Sequence, residues 1–126
     1  DFWMPFAPTI LQDKTPDYLI LHKADSPFMN VTYDTTEKAQ THLVAAIHPY
    51  DKTTRPQILD QEVNPQFYDL IKKFEKLTGI GAVLNTSFNL HGEPIVCSPA
   101  DAIRTFTKSG LKYLAMENYL IQKLPS

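Results

Sequence analysis

The densest run of short, uncharged polar side chains in the sequence is Asn85-Thr86-Ser87-Phe88-Asn89-Leu90-His91-Gly92-Glu93-Pro94. Asn, Thr and Ser offer donors and acceptors that reach phosphate or ribose oxygens without adding charge, and Gly92 lets the backbone approach a ligand closely. The run follows the apolar stretch Ala82 to Leu84 and precedes a helix start by a few residues. Loops at strand ends are where α/β sheets place ligands. The competing reading is an ordinary loop whose Asn and Ser side chains satisfy their own backbone, and the residues alone leave both open.

A second polar run is His48-Pro49-Tyr50-Asp51-Lys52-Thr53-Thr54-Arg55-Pro56-Gln57. Arg55 can grip phosphate or carboxylate through two parallel hydrogen bonds, Lys52 can neutralise it as a point charge, and the Thr53 hydroxyl can fill the gap between them. A solvated loop is again the competitor. His48 closes an apolar run, a position that is more often structural than catalytic.

Several other chemistries lack their residues. A zinc site needs several Cys or His at short spacing, whereas His22, His42, His48 and His91 are scattered and Cys97 is the only cysteine. With four glycines there is neither a Walker loop nor a GxGxxG fingerprint. Twelve basic side chains against 14 acidic ones leave no cationic excess for a nucleic acid to grip. No apolar run approaches the roughly 18 residues that cross a bilayer. A cytoplasmic chain with no nucleic-acid and no membrane partner is expected. Cys97 cannot form an internal disulfide, and its apolar neighbours Ile95 and Val96 predict a buried packing role.

These runs need elements to hold them. A chain of 126 residues, with 43% hydrophobic and 21% charged residues, predicts one folded unit with a moderate core, spanning 1–126. Phe6 to Leu11 reads as a short buried strand, and Pro16-Asp17 opens one or two helical turns through Tyr18, Leu19, Leu21 and His22. Phe28 to Tyr33 reads as a strand, Asp34 to Gln40 as a connection, Leu43 to Ile47 as a central strand, and Pro49 to Pro56 as loop.

Signals are fuller further on. Asn64 as cap, Pro65 at the first helical position, and Phe67, Leu70, Ile71, Phe74 and Leu77 at three- and four-residue steps predict a helix that Gly79 stops. Lys72, Lys73, Glu75 and Lys76 should face solvent. Ala82 to Leu84 is a buried strand. Ser98, Pro99 and Asp101 start a second helix with an Ala102, Ile103, Phe106 stripe and Gly110 as its left-handed stop. Leu111 to Ala115 and Tyr119 to Gln122 are two short strands turning at Glu117-Asn118. The sum is an α/β (α+β) layer fold, with helices packed on a twisted mixed sheet.

Met4-Pro5-Phe6-Ala7-Pro8, Ser26-Pro27-Phe28-Met29, the run from His48 to Gln57, and Leu84 through Asp101 together resemble the C-terminal domain of the nodulation and antibiotic O-carbamoyltransferases. Within them the Thr-Ser-x-Asn-x-x-Gly core, Thr86 to Gly92, also resembles the signature loop of YrdC and Sua5-type proteins. The resemblance implies a YrdC-like sheet and a domain that joins the carbamoyl group of carbamoyl phosphate to ATP, with Mg2+, as carbamoyl adenylate. A metal-binding upstream domain of actin-like ATPase fold would then pass the group to a hydroxyl. Carried over residue by residue, Arg55 with Thr53 matches the family's phosphate-neutralising Thr-x-Arg loop and His48 borders the pocket, making Arg55 and His48 the candidate catalytic pair. Lys52, Asn85, Thr86, Ser87, Asn89 and Gly92 complete the candidate binding set, with no metal ligand among them. The expectation is that the Ser87 and Arg55 loops converge on one anion-sized cavity.

There are departures from the family pattern. Many relatives carry arginine at the position of Met4 and glycine at that of Lys52, and another basic residue before the position of Asp1. The chain starts at Asp1 without an initiator methionine, as a piece of a longer protein would. Weak nucleotide binding and little turnover are expected of it alone. Two alternatives stand beside the leading reading: a non-catalytic docking or regulatory domain of the same fold, and a threonylcarbamoyl adenylate synthase of tRNA modification.

Overall fold

In a computed structural model, residues 6–20 and 28–124 are described, and the chain divides into two compact units, Asp1–Thr86 and Ser87–Ser126. Met4, Leu21, His22, Ser26 and Pro27, which carry part of the sequence reading, lie outside the described residues.

The first unit is organised around β1 (Ala7–Leu11), the central strand of a three-stranded sheet. β1 runs parallel to β5 (Gln57–Leu59), with Thr9 opposite Gln57, and antiparallel to β6 (Ala82–Asn85), with Ala7 opposite Asn85 and Thr9 opposite Val83. The sheet is therefore mixed, as the sequence predicts. Alternation along β1 divides its residues between two faces. Leu11, with Leu59 and Val83, meets Ile71, Phe67 and Tyr68 of α3 (Pro65–Thr78). Ile10, with Ile58 and Ala82, joins the larger core of Tyr18, Leu19, Tyr33, Ala39, Leu43 and Ile47. Each fully buried aliphatic of this kind contributes about 1.5 to 3 kcal/mol through loss of its water-exposed surface.

The remaining elements of this unit cover the second face. They are α1 (Thr15–Tyr18), β2 (Leu19–Ile20), β3 (Tyr33–Thr35), α2 (Glu37–His42) and β4 (Thr53–Thr54), the three strands forming a small antiparallel sheet in the order β2-β3-β4. Tyr18 ties them together. Its ring is 1% exposed, and its hydroxyl accepts from the Gly81 N–H at 3.3 Å and lies 3.3 Å from Nδ1 of His42. Burial raises the Tyr18 pKa, partly offset by the Gly81 hydrogen bond.

α3 forms where its caps place it. The Asn64 side chain accepts from the Phe67 N–H at 3.1 Å, and Gly79 takes φ 78°, which a residue with a Cβ reaches only at a cost. Its packing differs from the expected single apolar face: Ile71 is buried, but Leu70 and Leu77 are 62% and 86% exposed. The polar face differs too. Lys73 and Lys76 face solvent, whereas Lys72 and Glu75 are half-buried in an ionic cluster. There Lys72 Nζ reaches Asp13 at 3.0 Å and Glu75 at 2.8 Å, and Lys14 reaches Glu75 at 2.7 Å.

Five local expectations for the first unit are overturned, among them the loop from Pro49 to Pro56, which carries β4. Leu43 to Ile47 is no strand but contains a 3-10 turn at Val44–Ala46, with Val44 72% exposed between buried Leu43 and Ala46. Short apolar runs do not separate a buried strand from a buried turn. Residues 28–32 form bends and turns, and the strand begins only at Tyr33. Asp34 to Gln40 is not a plain connection, because Thr36 caps α2 by accepting from the Ala39 N–H at 3.1 Å. The helical turn at Pro16 ends at Tyr18, after which Leu19 enters β2.

The second unit consists of the loop after β6, α4 (Pro99–Lys108), and the hairpin β7 (Tyr113–Met116) with β8 (Tyr119–Gln122). Its buried apolar residues are Ala102, Phe106 and Leu114, with Phe88, Val96, Met116 and Ile121 packed on them. α4 starts with a capping box in which Ser98 Oγ accepts from the Asp101 N–H and the Asp101 carboxylate accepts from the Ser98 N–H, both at 3.2 Å. The turn at Glu117, with φ 50°, closes the hairpin where the sequence places it. Gly110 is not the left-handed stop: α4 ends at extended Ser109, whose N–H bonds the Thr105 and Phe106 carbonyls. Ile103 is 47% exposed, and Thr105 takes its expected place inside.

Candidate functional site

The run from His48 to Gln57 folds into a tight turn followed by β4 and β5. The His48 N–H bonds the Thr53 carbonyl at 2.8 Å and the Lys52 N–H bonds the His48 carbonyl at 3.0 Å. Asp51 sits at the centre, its Oδ1 accepting from the Thr53 N–H at 3.0 Å and the Thr53 hydroxyl at 2.8 Å, with His48 Nδ1 at 3.1 Å. The Thr53 hydroxyl, then its N–H, hold the Asp51 carboxyl below its ordinary pKa. Lys52 takes φ 59°, a backbone that favours glycine, and its ammonium donates to the Pro49 carbonyl at 2.7 Å. The departure from glycine here thus falls at a position with a backbone reason for glycine.

Arg55 is different. It is exposed and, among the described residues, has neither an ion-pair nor a hydrogen-bond partner. Next to it Thr54 is buried and donates to the Ala46 carbonyl at 2.6 Å, and Pro56 is fully buried, so the chain on both sides of the guanidinium is fixed.

Two positions beyond Arg55 lies a residue that the motif reading did not single out. Gln57 Oε1 accepts from the Thr9 hydroxyl and from Asn85 Nδ2, each at 3.1 Å. Three neutral polar side chains from three strands thus meet on one face of the sheet, the face that farther along carries Leu11, Leu59 and Val83. Thr9 is fully buried, while Gln57 and Asn85 are half-buried. Asn85 Nδ2 also lies 3.8 Å from the Met29 sulfur. The signal that could have found Gln57 and Thr9 is a polar residue at an inward position of an apolar strand, visible only once the register is known.

Past Asn85, Thr86 is exposed and ends the first unit. Ser87, Asn89 and Gly92 belong to the second, in a loop that binds itself. Ser87 Oγ donates to Asn89 Oδ1 at 2.5 Å, and Asn89 Nδ2 donates to the carbonyls of Leu90 at 3.1 Å and Glu93 at 3.0 Å. Gly92, at φ 80° with open space around it, makes the turn possible. The Val96 N–H bonds the Phe88 carbonyl at 3.0 Å and brings both residues to the α4 core. Cys97 is exposed, contrary to expectation, because alternation turns Val96 inward and leaves its neighbours Ile95 and Cys97 outside. Among the described residues no group of three or more His, Cys, Asp or Glu could hold a metal ion, and no helix is long and apolar enough to cross a membrane.

Comparison with known proteins agrees with the earlier resemblance. The family model for the carbamoyltransferase C-terminus matches residues 1–123. An uncharacterised protein of Methanocaldococcus jannaschii is 49% identical over 123 residues, covering 98% of this chain and 24% of that protein. The nodulation protein NolNO of Sinorhizobium fredii is 37% identical over 96% of this chain, and NolO of Bradyrhizobium diazoefficiens is 36% identical over 98%. The chain spans 18% and 23% of those two proteins. A match from one end of the described residues to the other, through the polar runs on both sides of β5 and β6, leaves one assignment: the chain belongs to the carbamoyltransferase C-terminal family.

Proposed function

We propose that this chain is the nucleotide- and carbamoyl-handling part of an O-carbamoyltransferase. It would bind ATP and carbamoyl phosphate; water would split carbamoyl phosphate into carbamate and phosphate, and a carbamate oxygen would displace pyrophosphate from the α-phosphorus of ATP to give carbamoyl adenylate. An upstream metal-binding domain of actin-like ATPase fold would then transfer the carbamoyl group to a hydroxyl acceptor. The observation that carries this reading is Arg55: an exposed guanidinium without a partner among the described residues, on a fixed stretch of chain two positions before a polar group of the sheet. A free guanidinium can take phosphate bidentately and stabilise charge that grows on it during phosphoryl transfer.

In this reading Asn85, Thr86, Ser87, Asn89 and Gly92 supply neutral donors to nucleotide or carbamoyl phosphate, and Thr53, Lys52 and His48 flank the phosphates. Mg2+ prefers phosphate oxygens and water to an all-protein cage, so the described residues fit a metal carried in by ATP. The acyl adenylate is reactive towards water, which gives a reason for forming it in a shielded cavity of a larger protein in a cytoplasmic setting.

One observation favours a second reading, a docking or regulatory domain of the same fold. Lys52, Thr53 and Asn89 already bond within their own turns. Calorimetry separates the two readings. ATP with Mg2+ and carbamoyl phosphate are titrated into this chain and into a longer chain carrying the upstream domain. Binding in the longer chain that falls about tenfold or more in Arg55→Ala, and is only partly restored by Arg55→Lys, supports the enzyme. Absence of binding in both chains supports the docking domain.

A further inference from the structure

The polar group on the sheet leaves a pair of hydrogen-bonding positions open. Gln57 Oε1 is occupied by the Thr9 hydroxyl and Asn85 Nδ2. Gln57 Nε2, a donor, and Asn85 Oδ1, an acceptor, have no partner among the described residues. Turning both amides over changes nothing essential: Nε2 would then donate to Thr9 and Asn85, and Gln57 Oε1 with Asn85 Nδ2 would be the open pair. Either way two amides joined by a hydrogen bond leave one donor and one acceptor over, without charge.

Burial gives this pairing its selectivity. Thr9 is fully buried and the two amides are half-buried, on a face whose other positions are apolar. No side-chain nitrogen or oxygen among the described residues is both buried and unpaired, so the open positions meet solvent, and a ligand that satisfies both as it displaces that water is favoured over one that satisfies neither. The complementary group is planar, with a carbonyl oxygen beside an NH2. We propose that Gln57 and Asn85 read the carbamoyl amide of the substrate, with Thr9 as a positioning residue that fixes the Gln57 side chain. This rests on the carbamoyl-handling reading above and adds the residues that would distinguish a carbamoyl from another acyl group.

Acetyl phosphate is the discriminating probe, since it replaces the NH2 by a methyl of similar size. In calorimetry on the longer chain carrying the upstream domain, carbamoyl phosphate should bind about tenfold or more tightly than acetyl phosphate, the factor expected for one half-buried hydrogen-bonded pair. Gln57→Glu keeps an acceptor for Thr9 and Asn85 and removes the donor, and Gln57→Met removes it without adding charge. Both should bring the ratio close to one, with the thermal melt of each variant confirming the fold. Equal binding of the two acyl phosphates by the unaltered chain overturns the proposal while leaving the carbamoyl-handling reading in place. So does a ratio that survives both substitutions, or a loss of ATP affinity in Gln57→Met with the ratio intact, which would assign the pair to the adenine edge. A longer chain that binds neither acyl phosphate overturns both.

Discussion

Glu75 sits between two ammonium groups, and that placement has a pH signature. The hydrogen bond from Lys14, then that from Lys72, hold its carboxyl below the ordinary value of 4.5. Burial would raise Asp13, yet the Lys72 and Tyr68 hydrogen bonds together leave it lowered from 3.8. A carboxylate with a lowered folded pKa binds fewer protons in the folded chain. Its stabilisation is therefore complete above the unfolded value and is lost as pH falls through the folded one. Lys72 is raised, first by Glu75 and then by Asp13, so its part is complete below 10.5. Glu75→Gln should lower Tm by about 2 to 5 °C near pH 7, and the difference should be smaller at about pH 3, below the unfolded value of 4.5, where the unfolded chain has already taken up the proton. A difference of constant size across thermal melts at both pH values would refute the ionic account. The sequence showed the charges of Lys72 and Glu75 but placed them in solvent, because their partners Asp13 and Lys14 lie in a distant turn. Gln57 escaped for the same reason, since its meaning depends on Thr9 and Asn85 across two strand pairings.

Elements whose signals are local were the readable ones. Asn64 with Pro65, and Ser98 with Pro99 and Asp101, marked both long helices, because a cap is made by residues three apart and needs nothing else in the molecule. Asn64→Ala should destabilise the first unit, and Ser98→Ala the second, by about 1 kcal/mol each, read from denaturant midpoints followed by probes in each unit. An unchanged midpoint in either would remove the side chain from the account of that helix. Elements that depend on distant partners were not readable. β5 has only three residues and exists because β1 pairs with it, and the apolar run from Leu43 to Ile47 becomes a turn because Val44 is left outside.

For the molecule as a whole, the cores of the two units differ in weight. The first buries Ile10, Leu11, Tyr18, Leu19, Tyr33, Ile58, Leu59 and Ile71 among others, whereas among the described residues of the second only Ala102, Thr105, Phe106 and Leu114 are buried. Local stability follows buried apolar area. In native-state hydrogen exchange, the slowest amides of α4 and the hairpin should exchange faster than those of β1, β6 and α3. Equal protection in both sets would show that the small core has support beyond its own residues. Family membership was legible from the polar runs, while the division at Thr86 lies inside the most informative of them, where composition marks no boundary.

The parallel pairing of β1 with β5 also sets a timetable. Thr9 and Gln57 are 48 positions apart, and Gln57 and Asn85 a further 28. Closing loops of that length comes at an entropic cost before any contact returns it, so such pairings form late. During synthesis and refolding, helices and hairpins can come and go while the amide pair has no existence at all. A small molecule that grips it meets only chains whose central sheet is complete, and by mass action draws the population towards them.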